Sequence, residues 1–153
     1  FRAGAELASR VTAIGAVGGH CWIEQPAPAR PVPLMYLMGA HDPLNQHAGG
    51  EVRTPGGRTE HHPAVRQSLD RWVRACGCAG APEEEQAGAV RWLAYRCNGN
   101  AVVRYGEIAD AGHVWPGGPR LLPERIAGPA TTALDATGTL WQFLFDRIRR
   151  GRV

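Results

Sequence analysis

Two apolar segments of the chain contain almost no charged positions until their last residues. Residues 11–19 (VTAIGAVGG) and 32–42 (VPLMYLMGAHD) combine apolar and β-branched residues and then run into glycines or a turn. Short apolar runs of this kind are typical of strands that are buried on both faces of a sheet. Residues 21–31 between them are rich in proline, which excludes a helix there. We therefore predict two buried strands joined by an irregular connection.

Three other segments place apolar residues at helical spacing. Residues 2–9 are small and apolar with no capping residue before them, which is typical of the later part of a helix whose start is missing. Two further helices are predicted over 62–77 and 136–150. The predicted buried face of the helix over 62–77 consists of Val65, Leu69, Trp72, Val73 and Cys76. The corresponding face of the last helix consists of Leu140, Trp141, Leu144, Phe145 and Ile148.

The rest of the chain separates into a loop and a hairpin. Residues 43–61 are rich in glycine and predict a long loop. Residues 89–97 and 100–110 flank an Asn-Gly-Asn turn and predict the two strands of a hairpin. Taken in chain order, the elements alternate between helix and strand. This alternation predicts an α/β fold with a mostly parallel sheet and flanking helices.

Two ionisable residues follow predicted strands at their carboxyl ends. Asp42 closes the strand over 32–42, and His113 comes just after the strand over 100–110. In parallel sheets the chemistry gathers at this edge, and neighbouring strands bring their ends together. A carboxylate that faces an imidazole is the base half of a nucleophilic triad, because it fixes the tautomer and steadies the imidazolium. We therefore expect Asp42 and His113 to lie side by side.

Several stretches resemble the polyhydroxybutyrate-depolymerase-like and feruloyl-esterase-like enzymes of the α/β-hydrolase superfamily. They are VTAIGAVGG, RPVPLMYLMGAHDPLN, SLDRWVRACGC, GHVWPGGPRLLPERIAGP and ATGTLWQFLFDR, which cover nearly the whole chain in order. The resemblance implies a serine esterase in which Asp42 is the triad acid and His113 the triad base. One local difference from the family is Met38, which precedes Gly39 where a His-Gly pair is common.

No residue of the sequence fits the nucleophile of that triad. The two serines, Ser9 and Ser68, lack the flanking glycines of a G-x-S-x-G elbow, and Ser68 follows the acid. Cys21 follows Gly19, but Ile23 occupies the place of the second glycine, so this thiol is a weak alternative.

The resemblance implies that the serine lies a few residues before Phe1, together with the oxyanion hole. Residues 1–153 would then be the C-terminal half of a single α/β-hydrolase domain, inactive by itself. The alternative is a non-catalytic fragment or ligand-binding module that lacks the nucleophile.

The substrate is expected to be a carboxylic ester. The candidates are a polyhydroxyalkanoate oligomer, a feruloyl or acetyl polysaccharide ester, and a small acyl ester. Trp115 follows His113 closely in the sequence. We weigh two positions for its side chain, one packed on the core and one in the wall of an acyl or aryl pocket.

The four cysteines are Cys21, Cys76, Cys78 and Cys97. An even number is consistent with disulfides but does not fix their pairing. The family resemblance favours a bridge between Cys78 and Cys97. Such a bridge indicates an oxidising compartment, and we expect a secreted or periplasmic protein.

Charge and composition exclude some partners. The net charge of +3 is too small to indicate a nucleic-acid partner, and the basic run at 147–153 is typical of a solvated helix end. No apolar stretch is long enough to span a membrane. His61 and His62 lie near a Cys-Gly-Cys stretch, but the spacing of zinc sites is absent, so we expect neither metal nor cofactor.

Overall fold

The two apolar segments form neighbouring parallel strands in a computed structural model that describes residues 1–53 and 56–150. Strand β1 (Ile14–Val17) pairs with β2 (Leu34–Gly39), and every residue of β2 is buried. On its other side β2 pairs in parallel with β7 (Val102–Ile108). These strands belong to a five-stranded sheet with the order β1-β2-β7-β6-β5, in which β2 and β7 take inner positions.

The other half of the sheet is antiparallel. Strand β6 (Val90–Arg96) pairs antiparallel with β7, and β5 (Glu83–Ala87) pairs antiparallel with β6. A short turn at Asn98–Asn100 joins β6 to β7 as predicted. Such a turn allows only an antiparallel pair, because a parallel crossover needs a dozen or more residues.

A separate hairpin lies in the segment that was predicted as a long loop. Strand β3 (Gly50–Arg53) pairs antiparallel with β4 (Thr59–His62). With this hairpin, three of the five strand pairs are antiparallel and two are parallel. The prediction of a mostly parallel α/β-hydrolase sheet with flanking helices is therefore wrong. The sheet is mixed, the helices are few, and the described structure is mainly β.

Strand β5 is one of the strands that the sequence pattern did not predict. Its sequence, EEEQA, has no apolar alternation, and all five residues are exposed. Arginines on β6 and β7 hold its three glutamates in ion pairs: Arg96–Glu83, Arg91–Glu84 and Arg104–Glu85. Charged side chains are common on edge strands because they discourage pairing with other chains. The strand therefore forms through its pairing with β6 and its ion pairs, and it has no hydrophobic pattern of its own.

Four α-helices accompany the strands: α1 (Arg2–Glu6), α2 (Val65–Ala75), α3 (Glu124–Ala127) and α4 (Ala136–Arg150). Residues of α1 and α2 pack in one core cluster with Tyr36 and Tyr105 of the sheet. Leu140 and Phe143 of α4 belong to a second cluster with Met35 and Leu37. The hydrophobic side chains of β2 therefore divide between two cores.

Helix α4 buries a narrower face than the sequence predicts. Leu140 is buried, but Trp141 is 67% exposed, and Phe145 and Ile148 are also exposed. The rings of Trp141 and Phe145 stack on each other, with 6.0 Å between centroids. The last part of the basic run, residues 151–153, lies outside the described residues. None of the described helices is both long and apolar enough to cross a membrane.

The predicted disulfide between Cys78 and Cys97 is confirmed. It joins the segment after α2 to the end of β6, and Cys78 also packs at the edge of the first core cluster. Cys21 and Cys76 are free and buried. Burial raises the pKa of both thiols.

We expect the double variant Cys78→Ser/Cys97→Ser to lower the free energy of unfolding by about 3 kcal/mol, because the unfolded chain regains the freedom of a loop of about 20 residues. Urea unfolding monitored by circular dichroism measures this loss. Addition of a reductant should reproduce the loss in the native sequence and change nothing further in the double variant. Equal stability of the two proteins under oxidising conditions would contradict the prediction.

Candidate functional site

The candidate site lies where β2 and β7 end side by side. Gly39 and Ile108 are paired as the last residues of the two strands. The chain then turns to Asp42 after β2 and to His113 after β7. The two turns are joined by a hydrogen bond of 2.9 Å from the His41 N–H to the Ala111 carbonyl. Parallel pairing of two central strands therefore fixes the distance between the two turns.

The structure brings the predicted pair into direct contact. His113 Nδ1 lies 2.9 Å from Asp42 Oδ2. The Asp42 side chain is fully buried, whereas the His113 side chain is 32% exposed. The other carboxylate oxygen, Oδ1, accepts the backbone N–H groups of Leu44 and Asn45 at 2.9 and 2.7 Å. Both carboxylate oxygens of Asp42 are thus hydrogen-bonded, and the His113 ring remains partly accessible to solvent.

The contact with Asp42 determines which nitrogen of His113 carries a proton. A carboxylate accepts only, so Nδ1 donates to it and Nε2 is left as the acceptor of the neutral ring. Among the described residues no hydrogen bond reaches Nε2. The hydrogen bond to Asp42 raises the pKa of His113, and this effect outweighs the lowering caused by burial. The ring is therefore a stronger base than an ordinary histidine.

Asn45 supports the loop that carries the acid. Its side-chain amide donates to the Gly18 carbonyl at 2.6 Å and lies 3.1 Å from His113 Nδ1. Since Nδ1 donates its proton to Asp42, the Asn45–His113 distance is a packing contact and the bond to Gly18 is the hydrogen bond. Asn45 therefore ties the Asp42 turn to the end of β1.

Gly18 lets the backbone pass close to this pair. Its φ of +58° lies in the left-handed region, and a Cβ there would lie 3.4 Å from the His113 ring. Only glycine adopts this conformation readily. A side chain at this position would be strained and would lie in contact with the imidazole.

His47 is a neighbour of the site that the sequence reasoning missed. Its ring lies between the Gly39 carbonyl, 3.1 Å from Nε2, and the Glu107 carboxylate, 3.2 Å from Nδ1. The Tyr105 hydroxyl also donates to Glu107 at 3.3 Å. This arrangement anchors the glycine-rich segment after Asp42 to the ends of β2 and β7. No local pattern signals it, because His47 sits in a polar stretch far from Glu107 in sequence.

An apolar cavity of about 420 Å³ opens beside His113. The residues that line it with His113 are Val17, Gly18, Val114, Trp115, Pro119, Leu121 and Leu122. Two positions were considered for the Trp115 side chain, one packed on the core and one in a pocket wall. In the structure the side chain lines this cavity. The indole N–H donates to Thr137 Oγ1 at 2.9 Å, which fixes the ring at the start of α4.

The serines and Cys21 lie in structural positions. Ser68 is buried, and its hydroxyl accepts the backbone N–H of Cys21 at 3.0 Å. Ser9 is exposed on the turn after α1. The Cys21 thiol is fully buried, donates weakly to the Ile23 carbonyl at 3.6 Å and has a raised pKa. Since the thiolate is the reactive form, this environment disfavours Cys21 as a nucleophile.

No metal cluster is found in the described part of the chain. No group of three or more His, Cys, Asp or Glu side chains there is arranged to hold an ion. His61 and His62, weighed above as zinc ligands, both belong to β4. His61 is exposed, and His62 packs against the rings of His20 and Trp22.

We expect the His113 ring to titrate above the ordinary histidine value of about 6.5 and the Asp42→Asn variant to bring the midpoint down, because it removes the acceptor charge. The pair stabilises the fold fully below the unfolded-state pKa, and this contribution is lost as the pH rises through the folded-state pKa. NMR of the histidine ring protons against pH measures the midpoint. Asp70→Asn, on the outer side of α2, is the matched control and should leave it unchanged. A midpoint that is the same in Asp42→Asn as in the native sequence would contradict the assignment.

Comparison with known proteins finds a distant relationship. No family model matches the chain. The sequence is similar to "Feruloyl esterase B" from Piromyces equi, with 26% identity over 96 residues. These residues are 63% of this chain, and the chain spans only 17% of that protein's length. The match supports an esterase-like relationship for this chain.

Proposed function

We propose that this chain supplies the acid and the base of a carboxylic ester hydrolase that acts through a Ser-Asp-His triad. The observation that carries the proposal is the hydrogen bond between His113 Nδ1 and Asp42 Oδ2 beside an apolar cavity. The distant similarity to a feruloyl esterase supports the same reaction class. In this proposal Asp42 is the acid, His113 is the base, and Trp115 contacts the substrate.

In the proposed reaction, Nε2 of His113 acts as the base in two successive steps. Nε2 takes the proton of a serine hydroxyl while the serine oxygen attacks the ester carbonyl. Asp42 stabilises the imidazolium that forms and keeps the ring in place. The imidazolium then protonates the leaving alcohol, and an acyl-enzyme remains. A water molecule then attacks the acyl-enzyme while Nε2 takes its proton. The serine is reprotonated, and the carboxylic acid product is released.

The serine is proposed to precede Phe1 in a longer protein. Support comes from the position of Phe1, which directly precedes α1 and packs against β2. The Phe1 ring lies 5.2 Å from the Tyr36 ring, and the Tyr36 hydroxyl donates to the Gly19 carbonyl at 2.7 Å. Gly19 adjoins Gly18, which lies against His113. A segment that enters α1 therefore begins beside β2, the strand that leads to Asp42.

The apolar cavity is proposed to hold the acyl part of the substrate. Its walls favour an alkyl or aromatic acyl group over a charged one, because burial of an unpaired charge is costly. Polyhydroxyalkanoate oligomers, feruloyl or acetyl polysaccharide esters and small acyl esters all fit this description. The Cys78–Cys97 disulfide is consistent with a secreted or periplasmic enzyme.

In the longer protein, His113→Ala should reduce kcat for a short-chain p-nitrophenyl ester by about 10³-fold or more, because the serine loses its base. Asp42→Asn should also cause a large loss, since the ring then takes the wrong tautomer. Trp141→Ala, an exposed aromatic of α4 outside the proposed site, is the matched control and should keep full activity. The activity of the native protein should fall as the pH drops through the raised pKa of His113.

The same assays separate the alternatives. Residues 1–153 expressed alone should have no esterase activity, since no serine stands beside His113. Strong turnover by this chain would overturn the proposal and direct attention to Cys21, through Cys21→Ala. A longer protein without esterase activity toward any of the proposed ester classes would favour the non-catalytic module.

A further inference from the structure

A second cavity, of about 460 Å³, opens at the amino ends of the parallel strands. Its walls come from the segments that lead into β1, β2 and β7, from the end of β6 and from α4. Pro33 directly precedes β2 in this wall, and Val102 is the first residue of β7. The six residues of β2 span roughly 20 Å. The cavity therefore lies at the opposite edge of the sheet from the Asp42–His113 pair.

Three arginines line this cavity, namely Arg30, Arg96 and Arg147. No acidic residue is found among the described residues that line it with them. Guanidinium groups stay charged in proteins. A concave surface lined by charges of one sign concentrates the electrostatic potential and attracts ions of the opposite sign. The cavity is therefore suited to an anion.

Backbone carbonyls hold the guanidinium group of Arg30 in place. Its Nη2 donates to the Val11 carbonyl at 2.7 Å, and its Nη1 donates to the Pro31 carbonyl at 3.3 Å. Both acceptors are neutral, and none of the ion pairs in the described part of the chain includes Arg30. A guanidinium has five N–H donors, so three remain for a ligand. Arg30 thus combines a fixed position with an unbalanced positive charge.

The other two guanidinium groups are also positioned by their neighbours. Nε and Nη2 of Arg96 both donate to the same oxygen of Glu83, at 2.9 and 2.8 Å. This ion pair orients Arg96 and does not use its Nη1 donors. The guanidinium carbon of Arg147 lies 5.3 Å from the centroid of the Phe143 ring. Groups that are already ordered lose less conformational entropy when a ligand binds.

The shape of the cavity indicates which kind of anion it holds. The planar fork of a guanidinium matches the oxygens of phosphate and sulfate groups, which accept two parallel hydrogen bonds from it. The volume of about 460 Å³ falls in the range of small-molecule sites and is far larger than a single oxyanion needs. Pro31, Pro33 and Val102 add apolar surface to the wall. An oxyanion that carries an organic group therefore fits better than a free ion.

We propose that this cavity binds a small organic phosphate or sulfate ester. The three arginines hold the oxyanion, and the organic group lies against the two prolines and Val102. Such binding requires neither a serine nor His113. The proposal therefore stands or falls independently of the esterase function proposed above.

The test is a titration of residues 1–153 with phenyl phosphate and with phenyl sulfate at constant ionic strength, monitored by ¹H–¹⁵N NMR. We expect saturable shifts of the amide signals of Cys97 and Val102, and the tighter ester identifies the preferred oxyanion. Inorganic phosphate should bind more weakly, and phenol should cause no saturable shift. No saturable shift with either ester, or equal shifts with phenol, would overturn the proposal. Inorganic phosphate that binds as tightly as phenyl phosphate would overturn the assignment of an organic ester.

Arg30→Gln should weaken the binding of the preferred ester by about tenfold or more, because it removes charge-assisted hydrogen bonds. Arg125→Gln is the matched control. It removes the same charge from α3, which adjoins the dyad through a hydrogen bond from the His113 N–H to the Ala127 carbonyl. This control should keep native affinity. Equal affinity of Arg30→Gln and the native chain would contradict the proposal.

A second variant tests the cavity without removing an arginine. Thr12 is exposed and lines the cavity, so Thr12→Asp adds a negative charge there and leaves the three guanidinium groups in place. We expect affinity to fall by about tenfold or more while the urea midpoint stays native. Thr12→Asn, which is similar in size and uncharged, should keep native affinity. Native affinity in a folded Thr12→Asp variant would overturn the proposal.

One further variant distinguishes this cavity from the dyad. His113→Gln should bind the ester with native affinity, because His113 lies at the other edge of the sheet. A tenfold loss of affinity in His113→Gln would place the anion at the dyad and would overturn the proposal.

Discussion

The site depends on one contact, the hydrogen bond from His113 Nδ1 to the buried carboxylate of Asp42. Each residue sits on a turn after a central strand, and the parallel pairing of β2 with β7 sets the separation of those turns. The backbone donors of Leu44 and Asn45 occupy the other oxygen of the acid, so the carboxylate cannot turn away. The parallel part of the mixed sheet therefore positions the Asp42–His113 pair, and the antiparallel β6 and β5 extend the sheet on the far side.

The surroundings of this contact are apolar on one side. Val17 and Gly18 at the end of β1 line an apolar cavity together with His113 and Trp115. Gly18 has a positive φ and lies against the His113 ring. Such a cavity suits the acyl part of the ester that we propose as the substrate, because an apolar wall disfavours an unpaired charge. The end of β1 thus adjoins both the proposed base and the proposed acyl-binding surface.

The sequence predicted the central strands, the β6–β7 hairpin and the proximity of Asp42 to His113, because these follow from apolar runs, turn residues and strand ends. It missed β5, whose glutamates form ion pairs with arginines of its partner strands, and the β3–β4 hairpin, because neither has a periodic apolar pattern. It also assigned Trp141 to a buried face, since periodicity cannot tell which side of an amphipathic helix the sheet covers. His47 escaped notice because its role depends on contacts between segments that are distant in sequence.

The most direct test of the central claim is covalent labelling of the longer protein with a fluorophosphonate ester, followed by peptide mass spectrometry. A serine activated by His113 attacks phosphorus and releases fluoride, which leaves a stable phosphonyl adduct. The account predicts a single adduct on a serine that precedes Phe1, with a labelling rate reduced by about 10³-fold or more in His113→Ala. An adduct on a residue within 1–153, or a labelling rate that His113→Ala does not change, would contradict it.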